Sequence, residues 1–177
     1  MHDFAMRTVK AILFALVICC VAQTYAQQRK KATDFKITNG RLELPGTIAF
    51  GTGGATLTAD SETALWHVVD FLQSRDDITR IRIEGHTDTD GDAAANQTLT
   101  EQRALATAKW LVAHDIDCKR LVAVGFGGTK PVEDNRTPAG KAANRRIEIR
   151  LAELRGRLIG GDPADGGGKA AGDPCKK

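Results

Sequence analysis

Aromatic side chains make up only 5% of the 177 residues, so the core has to be built from aliphatic ones. A strong charge of one sign is also missing. The formal net charge is +3, and the longest basic run is Arg29-Lys30-Lys31. A nucleic-acid binder usually carries a dense basic face, and this composition does not suggest one. Apolar runs are short as well. The longest, AILFALVICCVA from Ala11 to Ala22, falls short of the roughly 20 residues that span a bilayer comfortably. No internal repeat is visible. Nucleophile elbows are absent, and no cysteine is placed beside a histidine, so the familiar hydrolase patterns have no foothold. The length suits one domain with a proper core plus extensions.

What is present begins with an export signal. Arg7 and Lys10 precede the apolar run, and the small residues of TYAQQ follow it. That is the layout of a secretory signal peptide over residues 1–26, cut after Ala26, with a cut after Ala22 as the alternative. Lipid attachment at Cys19 or Cys20 fits poorly, because Ile18 precedes the first and Cys19 the second. Once the signal is removed, only Cys118 and Cys175 remain. In an oxidising compartment they either form a disulfide that ties the tail to the domain or stay as two free thiols.

Residues 27–45 read as a polar linker and an N-terminal hairpin, with Asn39-Gly40 between two alternating segments as the turn signal. Thr47 to Phe50 reads as a short strand. A helix is expected from about Ser61 to Ser74, with Leu65, Val68, Val69 and Leu72 on one stripe and Asp60 or Ser61 as its cap. Thr79 to Glu84 alternates as a strand, Ile81 and Ile83 inward, Arg80, Arg82 and Glu84 on a solvated face. A second helix runs to about His114, with Thr98 and Glu101 as a capping box. Strands follow at Leu121 to Phe126 and over RRIEIRL, and Thr137-Pro138 between them can start a short helix. Residues 156–177, rich in Gly and Pro, read as a flexible tail. The expected class is α/β (α+β), a β-α-β-α-β-β sandwich in which both helices pack on one face of a mixed sheet.

The stretch EGHTDTDGDAAA, Glu84 to Ala95, concentrates the chemistry. Asp88, Asp90 and Asp92 have calcium-loop spacing, but Ala93 stands where that loop needs Gly and Leu99 where it needs a bidentate Glu. His86 and Asp88 lack a third zinc ligand at a recognisable spacing. No metal and no cofactor are therefore expected. As catalysts, His86 and Asp88 lack a nucleophile or a facing second acid, and His86 is better read as a loop-holding residue bonded to backbone. Arg103 is expected within the first two turns of the second helix, where a cation opposes the helix dipole. Asp88 and Arg103 can either grip the ammonium and carboxylate of a zwitterion or close the loop as an ion pair. Spacing leaves both open.

EGHTD followed by Asn96, Leu99, Thr100, Arg103 and Ala104 resembles the signature of the OmpA-like C-terminal domain family, G-H-T-D, then N, then L-S-x-x-R-A. GFGGTKP resembles that family's G-[YF]-G-x-x-x-P turn. NRTPAGKAANRRIEI resembles its N-x-T-x-x-G-R-x-x-N-R-R-[VI]-E-[IV] ending, and TIAFGTGGATLT its opening strand and loop. The match runs from Gly46 to Leu151, within a domain placed at 46–155. Thr100 replaces the usual Ser, and Lys141 the usual Arg.

The resemblance implies non-covalent peptidoglycan binding in the periplasm, at the cell wall or outer membrane, through the diaminopimelate of the peptide stem. It implies that Asp88 meets the ligand's amine and Arg103 its carboxylate. Asn96, Thr87 and Arg145 would line the pocket, Asn144 would fix the adjoining turn, and Thr52 and Gly53 would border it. Asp90 and Asp92 fall where the family varies and are read as a solvated acidic loop. The competing functions are a wall hydrolase using His86 and Asp88, and an adaptor whose hairpin or tail recruits another envelope protein.

Overall fold

The computed structural model describes residues 35–160 and 163–176. The signal peptide and most of the expected linker lie outside the described residues. The hairpin β1 (Ile37–Thr38) and β2 (Arg41–Leu42) turns through Asn39 and Gly40, both at positive φ (51° and 73°). Two consecutive left-handed residues match the twist of the flanking strands, and Asn-Gly is the pair that adopts them at least cost. Next come α1 (Glu62–Ser74), β3 (Ile78–His86), α2 (Ala93–Ala113), β4 (Leu121–Gly125), α3 (Pro138–Asn144) and β5 (Arg146–Leu154). The short strands β6 (Arg157–Leu158) and β7 (Lys169–Ala170) follow. The sheet order is β1-β2-β5-β3-β4-β7, with β6 also on β5. The β3–β4 pair is parallel and the others are antiparallel, so the sheet is mixed, as expected.

The core is aliphatic. Leu65, Val68 and Leu72 of α1, Ala104, Ala108 and Leu111 of α2, and Ile81, Ile83 and Ile149 of the central strands are all fully buried. Each buried Val, Leu or Ile contributes roughly 1.5–3 kcal/mol, so these stripes hold the helices to one face of the sheet.

Several expectations give way to the structure. Thr47 to Phe50 is not a strand. Only Phe50 bridges, to Leu57, and Ala49 is held by both hydrogen bonds of the Ser61 hydroxyl. That engagement takes Ser61 away from capping α1, which has no side-chain cap. The cap of α2 is Asp92, whose carboxylate accepts from Ala95 N–H at 2.8 Å. Thr98 already lies inside the helix and bonds back to Ala94 O. Hence α2 begins earlier than expected, and Arg103 lies about 15 Å along it at 1.5 Å per residue, beyond the reach of the N-terminal dipole.

The outer face of the sheet is not solvated. Arg82 and Glu84 are 7% and 3% exposed, and Glu148 is 6%. Glu84 stands directly opposite Glu148 in the β3–β5 ladder. Two adjacent carboxylates are tolerated because Arg82 and Arg150 reach Glu84, and Arg146, Arg150 and Arg41 reach Glu148. The segment expected to be a flexible tail closes over the same region. Arg82 donates to the carbonyls of Pro163 and Ala164, β7 pairs with the β4 edge, and Cys175 is bonded to Cys118. A scan for periodicity misses such a segment because backbone pairing and a cross-link order it.

Candidate functional site

The acidic stretch is the loop leaving the C-terminal end of β3 and entering α2. Thr87 and Asp88, only 4% and 6% exposed, form its base, with Thr87 N–H on Gly127 O. Close backbone approach makes this base possible. A Cβ on Gly85 would sit 2.3 Å from Thr100 O, and one on Gly128 would sit 2.8 Å from Asp88 O. The Thr100 hydroxyl accepts from Gly127 N–H, so the hydroxyl shared by Ser and Thr is used here to tie α2 to the β4 turn.

Asp88 divides its carboxylate between two donors. Oδ1 accepts the N–H of Asp90, and Oδ2 accepts from the Arg145 guanidinium. Burial pushes the Asp88 carboxyl up. The Arg145 and Asp90 hydrogen bonds, with the charges of Arg145 and Lys141, outweigh that and hold it below its ordinary value. Asp88 is therefore an anion at neutral pH. Its partner is Arg145, not Arg103, which disposes of the simple Asp88–Arg103 ion pair.

Arg103 is half-buried against the first loop. Its Nε donates to Gly54 O at 2.8 Å, and its guanidinium stands 5.1 Å from the centre of the Phe50 ring. Among the described residues, no carboxylate lies within ion-pair distance of it, and its terminal nitrogens have no protein acceptor. Burial depresses its pKa, and the neighbouring positive charge of Arg145 adds to that. Arg145 is thus close enough to Arg103 for its charge to be felt, and it has a carboxylate partner in Asp88 while Arg103 has none.

Asn96 is half-buried and closes the loop by donating to Asp90 O at 2.7 Å. It sits at the rim of a groove along the first turns of α2 with Gly53, Ala95, Leu99 and Gln102. Asn144 does not line a ligand space. It is fully buried, accepts from Val132 and Glu133 N–H, and donates to Glu133 O and Asn135 Oδ1. With its amide spent on the return loop, it positions Arg145, the next residue in the chain.

Other parts have no counterpart in the sequence pattern. Asp90, expected to be solvated, pairs with Lys141 at 2.8 Å across the mouth of the loop. Asp92 is the helix cap. Phe50 and the Gly54 carbonyl, which orient Arg103, lie within TIAFGTGGATLT, but nothing in that stretch ties them to an arginine about 50 positions later.

His86 is 2% exposed, lies on the covered face of the sheet, contacts Glu84 Oε2 at 3.2 Å and stacks on Phe126. It does not hold the loop through backbone, since its Nδ1 is buried without a hydrogen-bond partner. Glu84, His86 and Glu148 do bring ligand atoms within 4.8 Å of one another. Four arginines already surround those two carboxylates, so a divalent cation would add to an existing positive excess.

The family model described as "OmpA family" matches residues 49–145. The peptidoglycan-binding protein ArfA of Mycobacterium tuberculosis is 40% identical over 104 residues, 59% of this chain and 32% of that protein. This chain thus spans about a third of ArfA's length. The outer-membrane lipoprotein YfiB of Pseudomonas aeruginosa is 31% identical over 128 residues, 72% of this chain and 76% of that protein. Among solved structures, the cell wall anchor of the T6SS from Pseudomonas aeruginosa superposes with a TM-score of 0.51 at 31% identity, covering 59% of this chain and 75% of that one. The peptidoglycan-associated lipoprotein of Burkholderia pseudomallei gives 0.53 at 25% identity, covering 61% and 89%. The matched segment begins just before Phe50, contains Asp88 and Arg103, and ends at Arg145, so it encloses the whole charge arrangement: the chain belongs to the OmpA family.

Proposed function

We propose that this domain binds peptidoglycan non-covalently in the periplasm by recognising the diaminopimelate of the peptide stem, and so holds the protein to the cell wall. The observation that carries the reading is the uncompensated Arg103 guanidinium, half-buried and oriented by Gly54 O and Phe50, in a site whose anions Asp88 and Asp90 are taken up by Arg145 and Lys141. An amino acid centre carries the complementary pair of charges. Its carboxylate meets Arg103 through two parallel bonds, and its ammonium meets Asp88. Asn96 and Arg145 border the ligand, and Thr87 shapes the floor. The names of ArfA and of the peptidoglycan-associated lipoprotein support the wall as the target.

No chemistry is assigned to the site. His86, the residue a hydrolase would need, is buried and engaged by Glu84 and the Phe126 ring. A modest affinity per site is sufficient, because the wall presents many copies of the ligand and each further contact raises avidity. Co-sedimentation with purified sacculi tests the proposal. Wild-type protein is expected in the pellet, and Arg103→Ala in the supernatant. Equal sedimentation of the two would sink the site assignment.

A further inference from the structure

We propose a second subsite in the cleft between the exit of the hairpin and the start of β5, which takes the extended peptide adjoining the diaminopimelate, with a carboxylate of that peptide on Arg41. The proposal rests on the reading of the first site given above.

The cleft has a volume of about 440 Å³ and runs between Arg41–Ile48 on one wall and Arg145–Glu148 on the other. Arg145 belongs to both sites, since it lines the cleft and its guanidinium pairs with Asp88. A peptide held at Asp88 and Arg103 therefore has the cleft as its neighbour.

The wall formed by β5 is an open strand edge. β2 pairs with β5 only at Arg41↔Arg150 and Leu42↔Ile149, after which the chain diverges through Pro45 and Gly46. On its other side β5 pairs with β3 through Ile147, Glu148 and Arg146. Among the described residues no strand covers these three on the cleft side. Leu151 donates to Gly40 O on the β2 side, so by alternation Ile147 turns its backbone groups to the cleft and can accept an added extended segment. At about 3.3 Å per residue the open edge accommodates roughly three residues.

Arg41, Arg145 and Arg146 line the cleft against Glu43 and Glu148, and Glu43 is already paired with Lys36, so the charge left over is positive. Glu148 already accepts from Arg146 at 2.7 Å and from Arg150 at 3.1 Å. Arg41 is the third cation on that carboxylate, stands off at 3.5 Å, and keeps a side chain 43% exposed. Its guanidinium has donors to spare, and a guanidinium with free donors prefers a carboxylate.

The test separates the two sites by choice of probe. Calorimetric titrations of the full chain use free meso-diaminopimelate, and a stem pentapeptide that contains it with residues on both sides. Gly46→Trp adds bulk at a residue that lines the cleft, where a Cβ meets nothing within 4 Å and so does not clash. Arg41→Ala removes the proposed carboxylate partner. Wild type is expected to bind the pentapeptide about 10-fold more tightly than the free amino acid, one contact's worth at 1.4 kcal/mol per decade. Both variants should abolish that advantage while binding free diaminopimelate as wild type does. Thermal melts confirm that they fold. Equal affinity of wild type for the two probes, unchanged pentapeptide binding by Gly46→Trp, or parallel loss of both probes in the variants would each overturn the second subsite. Failure of wild type to bind either probe would instead overturn the first.

Discussion

Replacing Asp88 by Asn removes one charge while keeping the shape of the side chain, and the structure indicates what each half of that change does. Asn retains an oxygen for the N–H of Asp90, but presents an NH2 group to the Arg145 guanidinium, which then loses its acceptor. Arg145 has a side chain 47% exposed, so water can replace the lost bond, and the stability cost should stay near 1 kcal/mol. Binding is affected far more. In the proposed reading the ligand ammonium loses the anion that meets it, and a hydrogen bond to a charged group contributes roughly 1.5–3 kcal/mol. That converts to a fall in affinity of about 10- to 150-fold. Calorimetry with a diaminopimelate-containing muropeptide measures the affinity, and a thermal melt measures the stability. The expected signature is a large change in the first with a small change in the second. An affinity within about threefold of wild type, with an unaltered melt, would refute the assignment of Asp88 as the ammonium partner.

Three further outcomes follow from the packing around the site. Asn144→Ala strands two backbone N–H groups and the Glu133 carbonyl inside the return loop, so a loss of about 3 kcal/mol or more in urea unfolding is expected. Cys118→Ser opens a cross-link with a sequence separation of 57, for which chain entropy gives an upper value of about 4 kcal/mol. Hydrogen exchange should show early loss of protection at Ala171, whose N–H bonds Ala123 O beside the β4 edge. Burial raises the pKa of both Glu84 and Glu148, but hydrogen bonds from His86, Arg82, Arg146 and Arg150 and the charges around them outweigh it and hold both below the ordinary glutamate value. A depressed folded pKa contributes stability that is present above the unfolded value, about 4.3, and is lost as pH falls through the folded one. Circular dichroism during acid titration should therefore show Glu148→Gln losing less stability than wild type below pH 4.

Much of the fold was legible because its signals are local. Asn39-Gly40 specifies its turn, Leu65, Val68, Val69 and Leu72 specify a buried helix face, and Thr137-Pro138 starts α3, with the Thr137 hydroxyl accepting from Gly140 N–H. Where the sequence misled, the deciding partner was distant. Ser61 looks like a cap until Ala49 is placed beside it. Arg82 and Glu84 look solvent-exposed until Glu148 and Arg150 arrive from a strand more than 60 positions later. The same holds at the candidate site. Asp88 and Arg103 stand out as charges in a motif, but the pairing of Asp88 with Arg145 is a contact across 57 positions that spacing does not encode.

That pairing bears on how a site built from opposite charges stays open. An aspartate and an arginine left alone at the mouth of one loop would close on each other, and a ligand would then have to break their ion pair before binding. Here Arg145 occupies Asp88, while Gly54 O and the Phe50 ring hold Arg103 by groups that carry no full charge. Arg103 is thus oriented without being neutralised, and the nearby charge of Arg145 adds to its need for an anion. The cost of holding two like charges together is met during folding, by the buried Asn144 that fixes the Arg145 backbone and by the glycines that let α2 approach β3. Preorganisation of this kind places the binding energy in the ligand's carboxylate. The physical expectation is that an amine lacking the carboxylate binds far more weakly than a carboxylate lacking the amine, since Asp88 already has a counter-ion and Arg103 does not.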